Sequence, residues 1–254
     1  MDRGSTFNLS TVARCYDARP PYAPAALDLV LRATPRRSRA LDIGCGPGKL
    51  TTWLAGHFDD VVGVDVSGEM LAIATQDAPG NITYIEGKTE DSETGGGFNV
   101  VTAGASIHWM DHPKLHERLR QVTKPGASLF VIDGDGPFEA PWASGWEQFM
   151  RKWLPVATGK PYTPAAQADF RQDMSAFSRE FRVFDSDTRV SEPFSQSVAD
   201  YIRCQHSRDS FAEARLGDDV GAFDADLRVL LSPWTVDGQV TYRVATTVTR
   251  CEIG

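Results

Sequence analysis

The sequence has little with which to cross-link itself or to grip a polyanion. Its four cysteines, Cys15, Cys45, Cys204 and Cys251, show no CxxC pair and no tight framework spacing. That pattern argues against a disulfide scaffold and predicts reduced thiols in an intracellular protein. Basic residues number 26 against 34 acidic ones, a formal net charge of −8, so a general nucleic-acid footprint is missing and no nucleic-acid partner is expected. The one basic cluster, Arg36-Arg37-Ser38-Arg39, is short and reads as a solvated loop. The first thirty residues hold no apolar signal core, and no run approaches membrane-spanning length. The expectation is a cytoplasmic, soluble chain with no membrane partner. Repeats and low-complexity tracts are also missing; Gly95-Gly96-Gly97 reads as a flexible turn.

What is there is an alternation of strand-like and helix-like segments. At 254 residues one large α/β domain is an ordinary size, and such a length buries a core without disulfides. Apolar strand patterns fall at Arg39–Ile43, Asp60–Asp65, Ile82–Ile85, Phe98–Ala103 and Ala127–Ile132. Helical patterns fall at 24–34, 48–57 and 67–78. This order predicts a parallel sheet of βαβ units covered on both faces. After Asp133 the alternation stops, and Trp146, Phe149, Met150, Trp153 and Leu154 take amphipathic-helix spacing. A strand at 181–184, a helix over Ser197–Cys204 and a last strand over Gln239–Arg250 complete the pattern.

The segment Ala40-Leu-Asp-Ile-Gly-Cys-Gly-Pro-Gly48 runs from a strand through glycines into a helix. Glycines there let the backbone turn sharply and approach a ligand closely. A dinucleotide fingerprint needs a glycine where Lys49 stands, and an acid before the loop, Asp42, suits a positively charged ligand better than a pyrophosphate. Asp65 ends the next strand, where a carboxylate accepts the hydroxyls of a nucleoside ribose.

With those residues in view, the sequence resembles the class I S-adenosylmethionine-dependent methyltransferases. LDIGCGPG matches the family's first motif and VVGVDVSGEML its second strand; ITYIEGKTED, FNVVTAGASIHWMD and VTKPGASLFVI match the later segments, over about residues 39 to 133. The small-molecule branch that includes trans-aconitate methyltransferase is closer still. It shares the N-terminal Tyr16-Asp17-Ala18-Arg19-Pro20-Pro21-Tyr22 signature and the His108-Trp109 pair.

The resemblance implies a Rossmann-like, doubly wound, mostly parallel seven-stranded sheet with the last strand antiparallel and a helical cap after the fifth. In a single domain over 1–254, residues 1–38 would be an N-terminal lid and 39–133 the cofactor half. Residues 134–181 would be the cap, and 182–254 the C-terminal strands and helix. It implies S-adenosylmethionine as cofactor, leaving as S-adenosylhomocysteine. Asp42, Gly44 and Gly46 would hold its methionine end, Asp65 its ribose, and Met70, Thr89 and Glu90 its adenine. Ala103 would lie beside the sulfonium, with Tyr16, Arg19 and Tyr22 closing the site. Members of the family often carry an acid where Lys88 stands.

Methyl transfer needs a nucleophile held in line and water kept out. His108 is the expected base, or else a residue that only binds the acceptor. Arg19 is expected to pair with a substrate or cofactor carboxylate. Tyr22, Trp109, Trp146 and Met150 are expected to touch a small-molecule acceptor, by carboxylate or hydroxyl O-methylation. N- or C-methylation of a secondary metabolite, or non-catalytic cofactor binding, are the alternatives. The histidines His108, His112 and His116 stand four apart, but Asp111 and Pro113 predict a helix start between the first two. His112 and His116 are then expected on a surface helix, and no metal site is expected.

Overall fold

In the computed structural model, which describes residues 5–163 and 175–254, strand β1 (Arg39–Ile43) is buried from Ala40 onward. It is flanked by β2 (Asp60–Asp65) and β4 (Phe98–Gly104), both parallel to it. Such central strands are covered on both faces, which is why their sequences read as continuous apolar runs. Strand β3 (Ile82–Glu86) lies beyond β2, and β5 (Thr123–Asp133) beyond β4, again parallel. The chain therefore steps outward from β1 to β3 and then returns to the other side of β1. Ligands of open parallel sheets bind at such a switch point, outside the carboxyl ends of the strands.

Helices α1 (Ser10–Cys15) and α2 (Pro24–Ala33) precede β1; α3 (Lys49–Ala55) and α4 (Gly68–Ala74) follow β1 and β2. The helix expected over 67–78 ends at Ala74, and Ser67 caps its start by accepting from the Met70 amide. Helix α5 (His112–Val122) begins behind Asp111, whose side chain accepts from the Lys114 amide, with Pro113 in the first turn, as expected.

Two compact units divide the chain. One comprises residues 24–134, 175–189 and 246–254. Here the end of the long strand β9 (Gln239–Glu252) pairs antiparallel with β5, Ser128 opposite Glu252 through Asp133 opposite Thr247. Strand β7 (Arg182–Val190) pairs with β9, Ser186 meeting Thr249 and Thr188 meeting Thr247 through their hydroxyls. Seven of the nine strands joined in the sheet lie wholly or partly in this unit. The strand expected at 181–184 begins one residue later and runs to Val190; Phe181 is instead buried beside helix α6 (Ser175–Glu180) and stacks on Phe177.

The other unit comprises residues 5–23, 135–163 and 190–245. The first half of β9 pairs with β6 (Pro137–Phe138) and β8 (Phe194–Ser197). Its core is aromatic: Trp142, Phe149, Trp153, Tyr201, Phe211 and Phe223 pack together. They come from α7 (Ala143–Thr158), α8 (Val198–His206) and α9 (Val220–Leu231) and the segments between. Helix α9 has no counterpart in the sequence reading. The helices gathered here thus come from both sides of residue 181, and residues 1–4 and 164–174 of the expected lid and cap lie outside the described residues.

Candidate active site

The loop after β1 turns through three left-handed glycines, Gly44 (φ 62°), Gly46 (φ 53°) and Gly48 (φ 81°). Two of them are enforced by their neighbours. A Cβ on Gly44 would come within 2.4 Å of the Ser106 Cβ, and one on Gly48 within 2.2 Å of the Tyr84 hydroxyl oxygen. Beside Gly46 the space is open, with no atom within 4 Å of a built Cβ. That opening is a cradle in which a ligand can lie against bare backbone.

Asp65 reaches into this cradle from the end of β2. Its Oδ2 accepts from the Gly46 amide and its Oδ1 from the Ser67 amide, both at 2.8 Å. The two bonds fix the carboxylate plane and leave each oxygen a further lone pair. Burial raises the Asp65 pKa, opposed by the backbone donors of Ser67, Gly46 and Val66.

Asp42 sits behind the loop, 1 % exposed. Its oxygens accept from Thr51 (2.6 Å) and Thr102 (2.8 Å), two fully buried hydroxyls that the sequence reading did not single out. Burial pushes its pKa from 3.8 up to about 6, against those two hydrogen bonds. The carboxylate thus ties the glycine loop's strand to α3 and β4.

Met70 and Ala103 are buried, on α4 and β4. In the segment after β3, Thr89 is buried, Lys88 is exposed, and the Glu90 Oε1 accepts from the Asp111 amide at 2.7 Å. After β4 the backbone passes through a left-handed non-glycine, Ala105 (φ 51°), before Ser106 donates to the Ile43 carbonyl at 2.7 Å. Strain of this kind gathers at functional sites. His108 and Trp109 follow in a single 3₁₀ turn, their rings 4.5 Å apart, with Trp109 40 % exposed.

The other two histidines correct the sequence reading. His112 is 4 % exposed, its Nε2 bonded to the Ile107 carbonyl at 3.0 Å and its ring edge-on to Phe177. His116 is partly buried, with Nε2 on the Ile253 carbonyl and Nδ1 3.7 Å from Glu180. The packing of α6 and the chain's last residues against α5 covers a face that local sequence presented as surface. Among the described residues no three acids, cysteines or histidines converge as a metal site.

In the other unit, Tyr16 and Arg19 make one cluster. The Arg19 guanidinium, 8 % exposed, lies 4.0 Å over the Tyr16 ring and donates to the Tyr16 hydroxyl, Ser207 Oγ, the Ser207 carbonyl and Asp135. Sequence reasoning offered Arg19 to a ligand carboxylate; here its donors meet protein acceptors. Tyr22 is half-buried. The same unit has an open cavity of about 420 Å³, lined on its apolar side by Trp142, Trp146, Met150, Leu154 and Phe211. Trp146 and Met150 therefore line a pocket, Met150 packing also with Phe149 and Trp153 of the same helix in the core.

Residues 40–126 match the methyltransferase domain family. The matched segment, about a third of the chain, is similar to a methyltransferase domain. An uncharacterised methyltransferase of Mycobacterium bovis is 30% identical to it over 131 residues, 51% of this chain and 53% of that protein. A trans-aconitate 2-methyltransferase of Deinococcus radiodurans is 35% identical over 97 residues, 37% of each chain. The chain thus spans about half the length, or less, of the curated relatives it matches. A solved structure from Anaeromyxobacter dehalogenans, provisionally assigned as a type II methyltransferase, superposes with a TM-score of 0.67 at 20% identity, covering 92% of this chain and 96% of the other. At that identity the likeness establishes the fold. Within the matched residues lie the glycine loop, Asp65, Thr89 and His108; Trp146, Met150 and the cavity lie outside them.

Proposed function

We propose that the protein is an S-adenosylmethionine-dependent methyltransferase acting on a small molecule, with carboxylate or hydroxyl O-methylation favoured. The observation that carries this reading is the Asp65 carboxylate, oriented by the Gly46 and Ser67 amides beside the open face of Gly46. A nucleoside's two ribose hydroxyls are the natural donors to such a carboxylate. A solved S-adenosylmethionine-dependent methyltransferase of Thiobacillus denitrificans, in complex with S-adenosylhomocysteine, has the same fold at a TM-score of 0.50 and 15% identity.

The cofactor would supply an electrophilic methyl group on a sulfonium. Asp65 would hold its ribose, and the bare backbone of Gly44 and Gly46 its methionine end. Asp42 acts from behind by fixing the loop through Thr51 and Thr102. Met70, Thr89 and Glu90 would flank the adenine and Ala103 the methyl end. Tyr16, Arg19 and Tyr22 belong to the site by resemblance, with Arg19 serving to hold the N-terminal segment to Ser207 and Asp135. A carboxylate acceptor needs no base; for a hydroxyl or amine, His108 would take the proton or fix the acceptor's orientation.

S-adenosylhomocysteine is expected to raise the melting temperature while NAD does not, because only a ligand that binds the folded state stabilises it. A shift with NAD and none with the S-adenosyl ligands overturns the reading. An Asp65→Ala variant is expected to lose most of the shift. A His108→Ala variant that binds cofactor and acceptor normally yet turns over at the native rate removes the base role.

A further inference from the structure

Helix α8 brings a set of polar groups to the apolar cavity of the helical unit that the methyl-donor site does not use. Gln205 is 3 % exposed, lines the cavity, and its carboxamide hydrogen-bonds to no described residue. Buried polar side chains are nearly always paired, so a carboxamide left without a protein partner at a cavity wall is free to meet a ligand there. Beside it, Arg208 lines the same cavity. Its bonds to the Asp135 carboxylate and carbonyl, with a contact to the Cys204 sulfur, use three of its five N–H donors. Asp135 gives Arg208 only one carboxylate oxygen, the other meeting Arg19. Tyr201, 1 % exposed, accepts from Trp142 Nε1, and its own hydroxyl hydrogen has no acceptor among the described residues. The rest of the lining is largely aromatic: Trp146 stacks on Phe149 at 5.2 Å and 18°, and Trp142, Met150 and Phe211 also face the cavity.

We infer that this cavity binds a planar aromatic monocarboxylate. Its ring lies against the Trp146 wall and its carboxylate takes donors from Arg208, Gln205 and Tyr201. A guanidinium with open donors selects an anion over a neutral polar group. A volume of about 420 Å³ suits a ligand of one to three rings. Glu139, exposed at the rim, disfavours a second anionic group there and so disfavours polycarboxylates. The ligand's role as methyl acceptor rests on the proposed function; its binding does not.

The test titrates the full-length protein with 2-naphthoate, 2-naphthamide and trans-aconitate, following tryptophan fluorescence, and with S-adenosylhomocysteine by calorimetry. Naphthoate is expected to bind about tenfold or more tighter than naphthamide or trans-aconitate. Gln205→Leu and Arg208→Gln are each expected to weaken naphthoate by about tenfold, leaving naphthamide and S-adenosylhomocysteine within about twofold. Should Arg208→Gln fail to fold, Gln205→Leu carries the test, because its carboxamide holds no protein group. Equal binding of the acid and the amide, or tighter binding of trans-aconitate, overturns the inference. Binding of S-adenosylhomocysteine without naphthoate overturns the cavity assignment alone. Naphthoate selectivity without S-adenosylhomocysteine binding overturns the methyltransferase reading and leaves the cavity standing.

Discussion

Asp42 shows how one residue can serve a site from inside the wall. Its carboxylate is buried on two threonine hydroxyls, and burial holds its pKa near 6 rather than 3.8. Below about pH 3 the group is protonated folded or unfolded and makes no difference. As pH rises the unfolded chain releases the proton first, so stability falls until the folded group ionises too. Compared with Asp42→Asn, the native protein is expected to lose about 3 kcal/mol of stability between pH 3 and pH 7. Chemical denaturation of both proteins across that range reads the difference; parallel stability curves would refute it. At the same scale, His112 is buried on the Ile107 carbonyl. His112→Ala is expected to cost about 1–3 kcal/mol while leaving S-adenosylhomocysteine affinity unchanged. A loss of affinity at unchanged stability would move His112 into the site.

At the scale of elements, the glycine loop is shaped by a strand two positions away in the sheet. Tyr84 on β3 crosses Gly63 of β2, where a Cβ would lie 2.8 Å from its ring, and ends against Gly48. Gly48→Ala adds a Cβ at φ 81° in that contact and is expected to cost about 2 kcal/mol or more. Combining it with Tyr84→Phe, which removes the closest atom, should recover part of that cost in a double-mutant cycle; strict additivity would show that the contact does not constrain the loop. The strands and the loop were legible because buried parallel strands and glycine turns leave a local pattern. Asp65 was legible because its chemistry follows from its place at a strand end. Thr51, Thr102 and Tyr84 were not, since each acts through a partner on another strand. Gly63 was the available signal, a glycine inside a strand marking a close approach. His112 was misread for the same reason: the elements that bury it are distant in sequence.

The molecule as a whole is stitched from segments far apart in the chain. The sheet that carries the glycine loop takes β7 and the end of β9 from beyond residue 181, and β9 pairs along Leu129–Ile132 of β5, which are buried. A fragment of residues 24–134 would present β5 as a bare apolar edge and is expected to aggregate rather than fold. A soluble fragment with a cooperative unfolding transition would contradict this. The two cores share no residue, one built around β1 and β4 and the other around the aromatic side chains of α7 to α9. The sequence alternation broke after Asp133 because a different unit begins there. The central claim concerns the first of these cores, and calorimetric titration with S-adenosylhomocysteine tests it most directly. One molecule bound per chain, with the heat lost in Asp65→Ala at unchanged fold, is the predicted result. No binding to the native protein, or undiminished binding to Asp65→Ala, would contradict it.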